Sequence, residues 1–313
     1  MAFIQPDRSG LPPLTRYATL QVGDERRVAG YTEATRGCKH RCRHCPIVPI
    51  YDGRFRAVDA DVVIADIRAQ VAGGAGHITF GDPDFFNGPT HAMRIVEALA
   101  AEFPGLTYDV TIKIEHLKQQ SALLPRLRET GCAFVTSAVE SFDDAVLHRL
   151  EKGHTFADFV GVVEQCAAVG LALSPTFVAF TPWTTREAYL DLLDSVEALD
   201  LVDHVAPVQW TIRLLIPNGS RLLELPDVRE LVGPFDSQAL VYPWTHPDPR
   251  MDALQRDAAA VIGSRLDVDR RSAFERVRAL ACAADDDEGP ALPDPPVRTA
   301  RVTVPYLTEP WYC

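Results

Sequence analysis

Short β-rich runs alternate with longer stretches of helical periodicity from about residue 28 to about residue 215. Six runs read as strands: AGYTEATRG (29–37), HITFG (77–81), LTYDVTIK (106–113), CAFVTSAVE (132–140), LALSPTFVAF (171–180) and VAPVQWTIRLL (205–215). Between them, DADVVIADIRAQVAGG carries Ile64, Ile67 and Val71 at helical spacing, and REAYLDLLDSVEALD carries Leu192, Val196 and Leu199 likewise. Each can lay an apolar stripe on a sheet. Gly73, Gly74, Gly105, Gly131 and Gly170 stand where helical patterns end. Repeated βα units of this kind predict an α/β fold with a parallel sheet, and no fixed-period repeat suggests a solenoid.

Past residue 216 the pattern turns loop-rich, then helical from Met251 to about Ala284, until DDDEGPALPDPP breaks it. A possible strand at Arg301 to Val304 follows. The expected organisation is an N-terminal extension (1–27), a core barrel (28–215), a loop and helical extension (216–284), and an acidic, Pro-rich linker with a tail ending in Cys313 (285–313).

A chain of 313 residues, 47% of them apolar, can bury one large core. The first residues lack an apolar stretch behind a basic start, and no apolar run approaches the roughly 18 residues of a membrane span. A cytoplasmic protein without membrane contact is the expectation. The formal charge of −12 has the wrong sign for holding a polyanion through its phosphates, which makes nucleic acid an unlikely partner. Seven cysteines, an odd number, do not read as a disulfide framework.

Three of them, Cys38, Cys42 and Cys45, fall in GCKHRCRHCPIVP directly after the first strand candidate, where parallel sheets gather their working residues. Zinc would need a fourth ligand, for which His40 or His44 can be proposed, yet one tight loop closes four ligands around an ion with difficulty. Packed core thiols would sit among apolar neighbours, not among Arg36, Lys39, Arg41 and Arg43. The third reading is a cubane [4Fe-4S] cluster on three thiolates, with one iron left open to a small molecule. Those cations would offset the charge of cluster and thiolates. Cys132 begins a strand candidate and Cys166 and Cys282 lie on helical patterns, all three as packing residues.

Cys38-x-x-x-Cys42-x-x-Cys45 after the first strand of a βα series resembles the cluster loop of the radical S-adenosylmethionine (SAM) superfamily. The resemblance implies a partial (βα)6 TIM-like barrel, a [4Fe-4S] cluster, and SAM chelated to the open iron. It also implies roles for further residues. His44 stands where an aromatic residue often packs near the adenine. Gly81, Asp82 and Asp84 in FGDPDFFNGP look like a variant of the Gly-Gly-Glu motif that receives the methionyl ammonium. Glu140, Ser137 and Ser141 are similar to the strand-end residues that contact ribose or the methionyl part. Lys113 and Arg213, at strand ends by position, are expected to pair with a carboxylate of SAM or substrate. Asp143 and Lys152 read as structural.

The implied chemistry is one-electron cleavage of a SAM carbon-sulfur bond, on either side of the sulfonium, driven by an external reductant such as flavodoxin or ferredoxin. The expected substrate is a small molecule, with peptide or tRNA modification as an alternative and a non-catalytic iron-sulfur sensor or electron carrier as another. The whole chain further resembles radical SAM proteins with a Cys-selenocysteine-Ala-Glu-Pro or Cys-Cys-Ala-Glu-Pro tail. YLTEPWYC ends where that tail would begin, which implies a selenocysteine position after Cys313, a catalytic role for Cys313, and a lead toward carbon-arsenic bond formation.

Overall fold

The structure is a computed structural model that describes residues 2–263, 269–283 and 304–308. Its strands are β1 (Thr19–Val22), β2 (Glu25–Thr32), β3 (Thr35–Gly37), β4 (Phe55–Ala57), β5 (His77–Phe80), β6 (Thr107–Thr111), β7 (Cys132–Glu140), β8 (Ala172–Phe177) and β9 (Tyr306–Leu307). One seven-stranded sheet has the order β8-β7-β6-β5-β2-β1-β9. β2, β5, β6, β7 and β8 run parallel, and β1 and β9 extend the β2 edge antiparallel, each to its neighbour. This is an α/β fold with the partial-barrel sheet expected from the βα pattern.

Alternation along the strands sorts side chains to two faces. Ile78, Phe80, Tyr108, Val110 and Val135 pack in the main core with Ile67, Val96, Phe159 and Leu193 of the covering helices. Of those helices, Ala60–Ala72, Pro89–Glu102 and Phe156–Ala168 are connections that parallel neighbours require, and Arg186–Ala198 follows β8. On the other face Phe134 joins Ala18, Leu20, Ala29 and Leu307, and buried His77 contacts Asp109 Oδ1 and Thr107 Oγ1, both at 2.8 Å.

Three elements depart from the sequence reading. The run 29–37 does not continue as one strand: β2 begins four residues earlier, and the chain leaves the sheet after Thr32 because Asp82 accepts the Ala34 amide at 2.8 Å and the Thr35 hydroxyl at 2.6 Å. β3 then pairs with β4. The run 205–215 is a 3-10 turn, Pro207–Thr211, followed by a single parallel bridge between Phe180 and Arg213. Pro207 has no amide for a ladder, and the edge is closed by side chains: Gln209 Oε1 takes the Phe177 amide at 2.8 Å, and Tyr189 donates to Trp210 O at 2.7 Å. The helical stretch 251–284 is interrupted. Helices Pro249–Ile262 and Arg270–Ala283 are separated at Gly263, whose φ of +62° suits glycine and stops a helix. The 285–303 linker, with the strand residues 301–303, and Cys313 lie outside the described residues.

The extension from residue 216 builds a small second core, in which Leu214, Ile216, Leu222, Val228 and Trp244 cover Val146 and Leu150. That core supports the segment on which the cysteine loop rests.

Candidate active site

β3 delivers the chain into the cysteine loop at the carboxyl edge of the parallel strands, with Cys42 buried and Cys38 and Cys45 half-buried. Asn87, from the turn after β5, fixes the loop's start: its Nδ2 donates to Gly37 O at 3.2 Å, its Oδ1 accepts the Lys39 amide at 3.1 Å and lies 3.7 Å from Cys38 Sγ. The His40 amide donates to Cys38 Sγ at 3.5 Å. At the loop's centre the Arg43 amide donates to Leu150 O at 2.9 Å and its guanidinium to Arg149 O at 3.0 Å, while Ser220 Oγ donates to Arg43 O at 3.2 Å. Arg221 holds Arg41 O and Glu151 together. Burial pushes the Cys38 thiol up to about 11 and raises that of Cys45, so both are protonated until a metal centre displaces the proton.

Two side-chain groups flank the thiols. In the first, Lys113 Nζ stands 3.2 Å from His40 Nδ1 and 2.8 Å from Glu115 Oε2. With Nδ1 accepting, the His40 proton is on Nε2, which faces His116 Nε2 at 3.2 Å. The His116 proton is then on Nδ1, 2.6 Å from Asp84 Oδ2 and off the axis of a linear hydrogen bond. Burial, then the Lys113 cation, lower the His40 pKa to about 4 and keep it neutral. Ligand atoms of His40, Asp84 and His116 lie within 4.8 Å of one another. Among the described residues His116 Nδ1 and Asp84 Oδ2 have no hydrogen-bond partner, and the Lys113 ammonium stands on the other side of His40.

In the second group, Glu140 ends β7 in the left-handed region, φ +76°, an unusual conformation for a side-chain-bearing residue and a mark of functional sites. Its Oε1 is 3.0 Å from His44 Nε2 and 3.2 Å from Lys152 Nζ. Burial raises the pKa of this carboxyl, but Lys152 and His44 outweigh it and hold the value at about 2. His154 lies buried nearby, its pKa lowered to about 4 by burial and by the Lys152 and Lys113 cations. A small hollow lies beside Glu140, lined by Ser141, Phe142, Val178, Thr184 and Leu192 and by none of the three cysteines.

The structure thus brings Cys38, Cys42, Cys45, His44, Asp84, Lys113 and Glu140 to one edge, with Ser141 on the wall of the hollow and its Oγ accepting the Asp143 amide at 3.0 Å. Gly81 lies under the Tyr31 hydroxyl, which occupies the space a Cβ would fill. Three expected site residues are committed elsewhere. Both Asp82 oxygens serve the 34–35 turn. Ser137 is fully buried and donates to Ile112 O at 2.5 Å. Arg213 stacks 3.5 Å from the Trp244 ring centroid and pairs with Asp252 at 2.6 Å, tying the extension to the barrel. Of the cations in the loop, Arg36 and Arg41 are exposed and pair with Glu33 and Asp52. Among the described residues two buried cations stand at this edge, Lys113 and Lys152, the second of which the sequence reading treats as structural. The sequence analysis assigns no role to Asn87, His116 or His154; Asn87 and His116 follow the ends of β5 and β6 closely, whereas His154 lies beyond the helix Asp144–Arg149 that follows β7.

Asp82 gives a test of this assignment. Burial lifts its carboxyl from 3.8 to about 7 despite the two hydrogen bonds it accepts. The folded state therefore holds the proton more tightly than the unfolded state, so this group's contribution is complete below pH 4 and lost as pH rises through 7. Three pKa units correspond to about 4 kcal/mol, of which about 2 to 3 kcal/mol disappears between pH 5 and 7.5. Urea unfolding of iron-free protein at the two pH values is expected to show this loss, and Asp82→Asn to remove it. An identical slope in both proteins would assign the pH dependence to other groups.

A family model described as the Radical SAM superfamily matches residues 32–194. Similar curated proteins include a tRNA-2-methylthio-N(6)-dimethylallyladenosine synthase of Desulfosudis oleivorans, 27% identical over 207 residues, covering 63% of this chain and 44% of that protein. Another is the ribosomal protein uS12 methylthiotransferase RimO of Desulforudis audaxviator, 26% identical over 186 residues, covering 55% of this chain and 40% of that protein. The chain spans less than half the length of these relatives. Among solved structures, the cobalamin-dependent S-adenosylmethionine radical enzyme OxsB superposes with a TM-score of 0.62 at 15% identity over 81% of this chain and 46% of that one, a likeness of fold. Among the described residues no helix is long and apolar enough to cross a membrane.

Proposed function

The chain belongs to the radical SAM superfamily, and from that premise we propose that it reductively cleaves SAM to start radical chemistry on a small molecule. The observation that carries this is the convergence of three cysteines, Asp84 and Glu140 at one sheet edge. The family's cofactors, a [4Fe-4S] cluster and SAM, supply when bound the one-electron cleavage of a carbon-sulfur bond. The residues present fit them: three thiols share a loop braced from two sides, and a buried ammonium stands behind it to balance thiolate charge. Cys38, Cys42 and Cys45 would hold the cluster. Asp84 Oδ2 would receive the methionyl ammonium, Glu140 would accept from the ribose, and His44 would flank the adenosyl part. Lys113, neutralised by Glu115 in the free protein, would turn to a carboxylate.

Asp84→Asn keeps an oxygen for the Phe86 amide, which Oδ1 now accepts at 3.2 Å, while removing the charge. Losing one charge-assisted hydrogen bond is worth about 1 to 3 kcal/mol, so SAM affinity is expected to fall roughly five- to 150-fold with iron content unchanged. Calorimetric titration of anaerobically reconstituted protein reads both. Equal affinities in variant and parent would take Asp84 out of the SAM site.

The resemblance to tRNA and ribosomal-protein methylthiotransferases favours a second reading, a macromolecular substrate. It keeps nucleic acid in play against the expectation from net charge. Tight tRNA binding that weakens steeply between 50 and 200 mM salt would select it. SAM cleavage itself separates both readings from an iron-sulfur sensor or carrier, and requires an external one-electron donor of the flavodoxin or ferredoxin kind. Carbon-arsenic or carbon-chalcogen bond formation through the tail is the finer proposal. Its support is the soft-ligand chemistry of a thiol or selenol and the direction of β9, which runs with β2 toward the edge that carries the cysteines. Cys313 itself lies outside the described residues.

A further inference from the structure

The segment after β7 does more than present Glu140. The loop residue between Cys42 and His44 is hydrogen-bonded to the carbonyls of Arg149 and Leu150, so the cysteine loop lies directly on residues 149–152. Lys152 ends that segment with its side chain 4% exposed and its ammonium 3.2 Å from Glu140 Oε1. His44, next to Cys45, contacts the same oxygen at 3.0 Å. A charge with water on almost no side acts through a medium of low effective dielectric and is felt strongly by its neighbours.

We propose that Lys152 is a positioning residue that raises the reduction potential of the cluster held by Cys38, Cys42 and Cys45, with Glu140 as the opposing charge that moderates it. One electron from the external donor adds one negative charge behind three thiolates, no proton is taken up, and Lys152 stays an ammonium throughout. The attraction is therefore larger after reduction than before.

This inference rests on the proposed ligation of the cluster, and one experiment separates the two. Full-length protein is reconstituted anaerobically, its iron and low-temperature EPR signal are measured, and the cluster is titrated with dithionite and mediators without SAM. Failure of the parent protein to hold iron overturns the ligation and the inference together. With the cluster present, Lys152→Met is expected to lower the reduced-to-oxidised ratio at the parent midpoint by about tenfold, which is about 59 mV for one electron. Glu140→Gln should move it the opposite way, Lys152→Arg should hold it near the parent value, and the double variant Glu140→Gln/Lys152→Met should return toward it. A Lys152→Met ratio equal to the parent's, or single variants shifting with the same sign, would overturn the role of Lys152. Should Lys152→Met lose the cluster, Glu140→Gln decides: an upward shift supports the inference and an unmoved midpoint overturns it.

Discussion

Cys42→Ala protein is expected to retain its fold, lose its iron and cleave no SAM. Cys42 is the buried central thiol of the three, and removing it leaves two ligands in a loop that cannot recruit a replacement from its immediate surroundings without breaking other contacts. His40 is held by Lys113 and faces His116, and His44 is engaged by Glu140. The loop's conformation depends on backbone bonds to Leu150 and on Ser220 and Arg221, none of which involves the thiol. Folding should therefore survive the loss of the site. Iron per chain and release of SAM fragments under dithionite give the measurement. Cys282→Ala, at an exposed helix position, is the matched control and should behave as the parent. Iron retention with SAM cleavage in Cys42→Ala, or a tightly held zinc ion in its place, would remove the cluster from this loop.

The cysteine triplet was legible because its information is local: three thiols within eight positions need no tertiary knowledge. Strands such as 77–80 and 132–140 were legible for the same reason, as apolar runs bounded by turn residues. What the sequence left unread depends on distant partners. His40 and His116 are 76 residues apart and meet only because β3 and β6 end at one edge. Arg213 stands in a lone bridge to Phe180 and not at the end of a sixth strand, Trp244 and Asp252 of the extension cover it, and nothing in a hydrophobic pattern says which way an extension folds back. Asp82 and Asp84 look equivalent in GDPD. Two positions along the chain decide that the first stitches the turn at Ala34 while the second faces the imidazoles. β1 is a four-residue strand with Gln21 and Thr19 among its members, too short and too polar for a period to register.

Lys152 is where the sequence reading and the structure differ most in consequence, and its pairing with Glu140 sets the last expected result. Both groups are buried, so each solvates the other in place of water. Removing one member strands the other's charge in a poor solvent, which costs about 3 to 5 kcal/mol, whereas removing both with apolar groups of similar volume is often neutral. Glu140→Leu and Lys152→Met are therefore each expected to destabilise by about that amount, and the double variant to recover most of the loss, giving a coupling energy of about 2 kcal/mol or more. Urea unfolding of the four iron-free proteins closes the cycle. Additive losses would mean that the two charges do not depend on each other and would weaken the electrostatic reading of Lys152 as well. Under the proposed contact between Glu140 and the ribose, the recovered double variant is expected to bind SAM more weakly than the parent. A pair that apolar side chains replace without loss of stability would be kept for its charge, and the positive φ at Glu140 is the backbone strain that accompanies its place between His44 and Lys152.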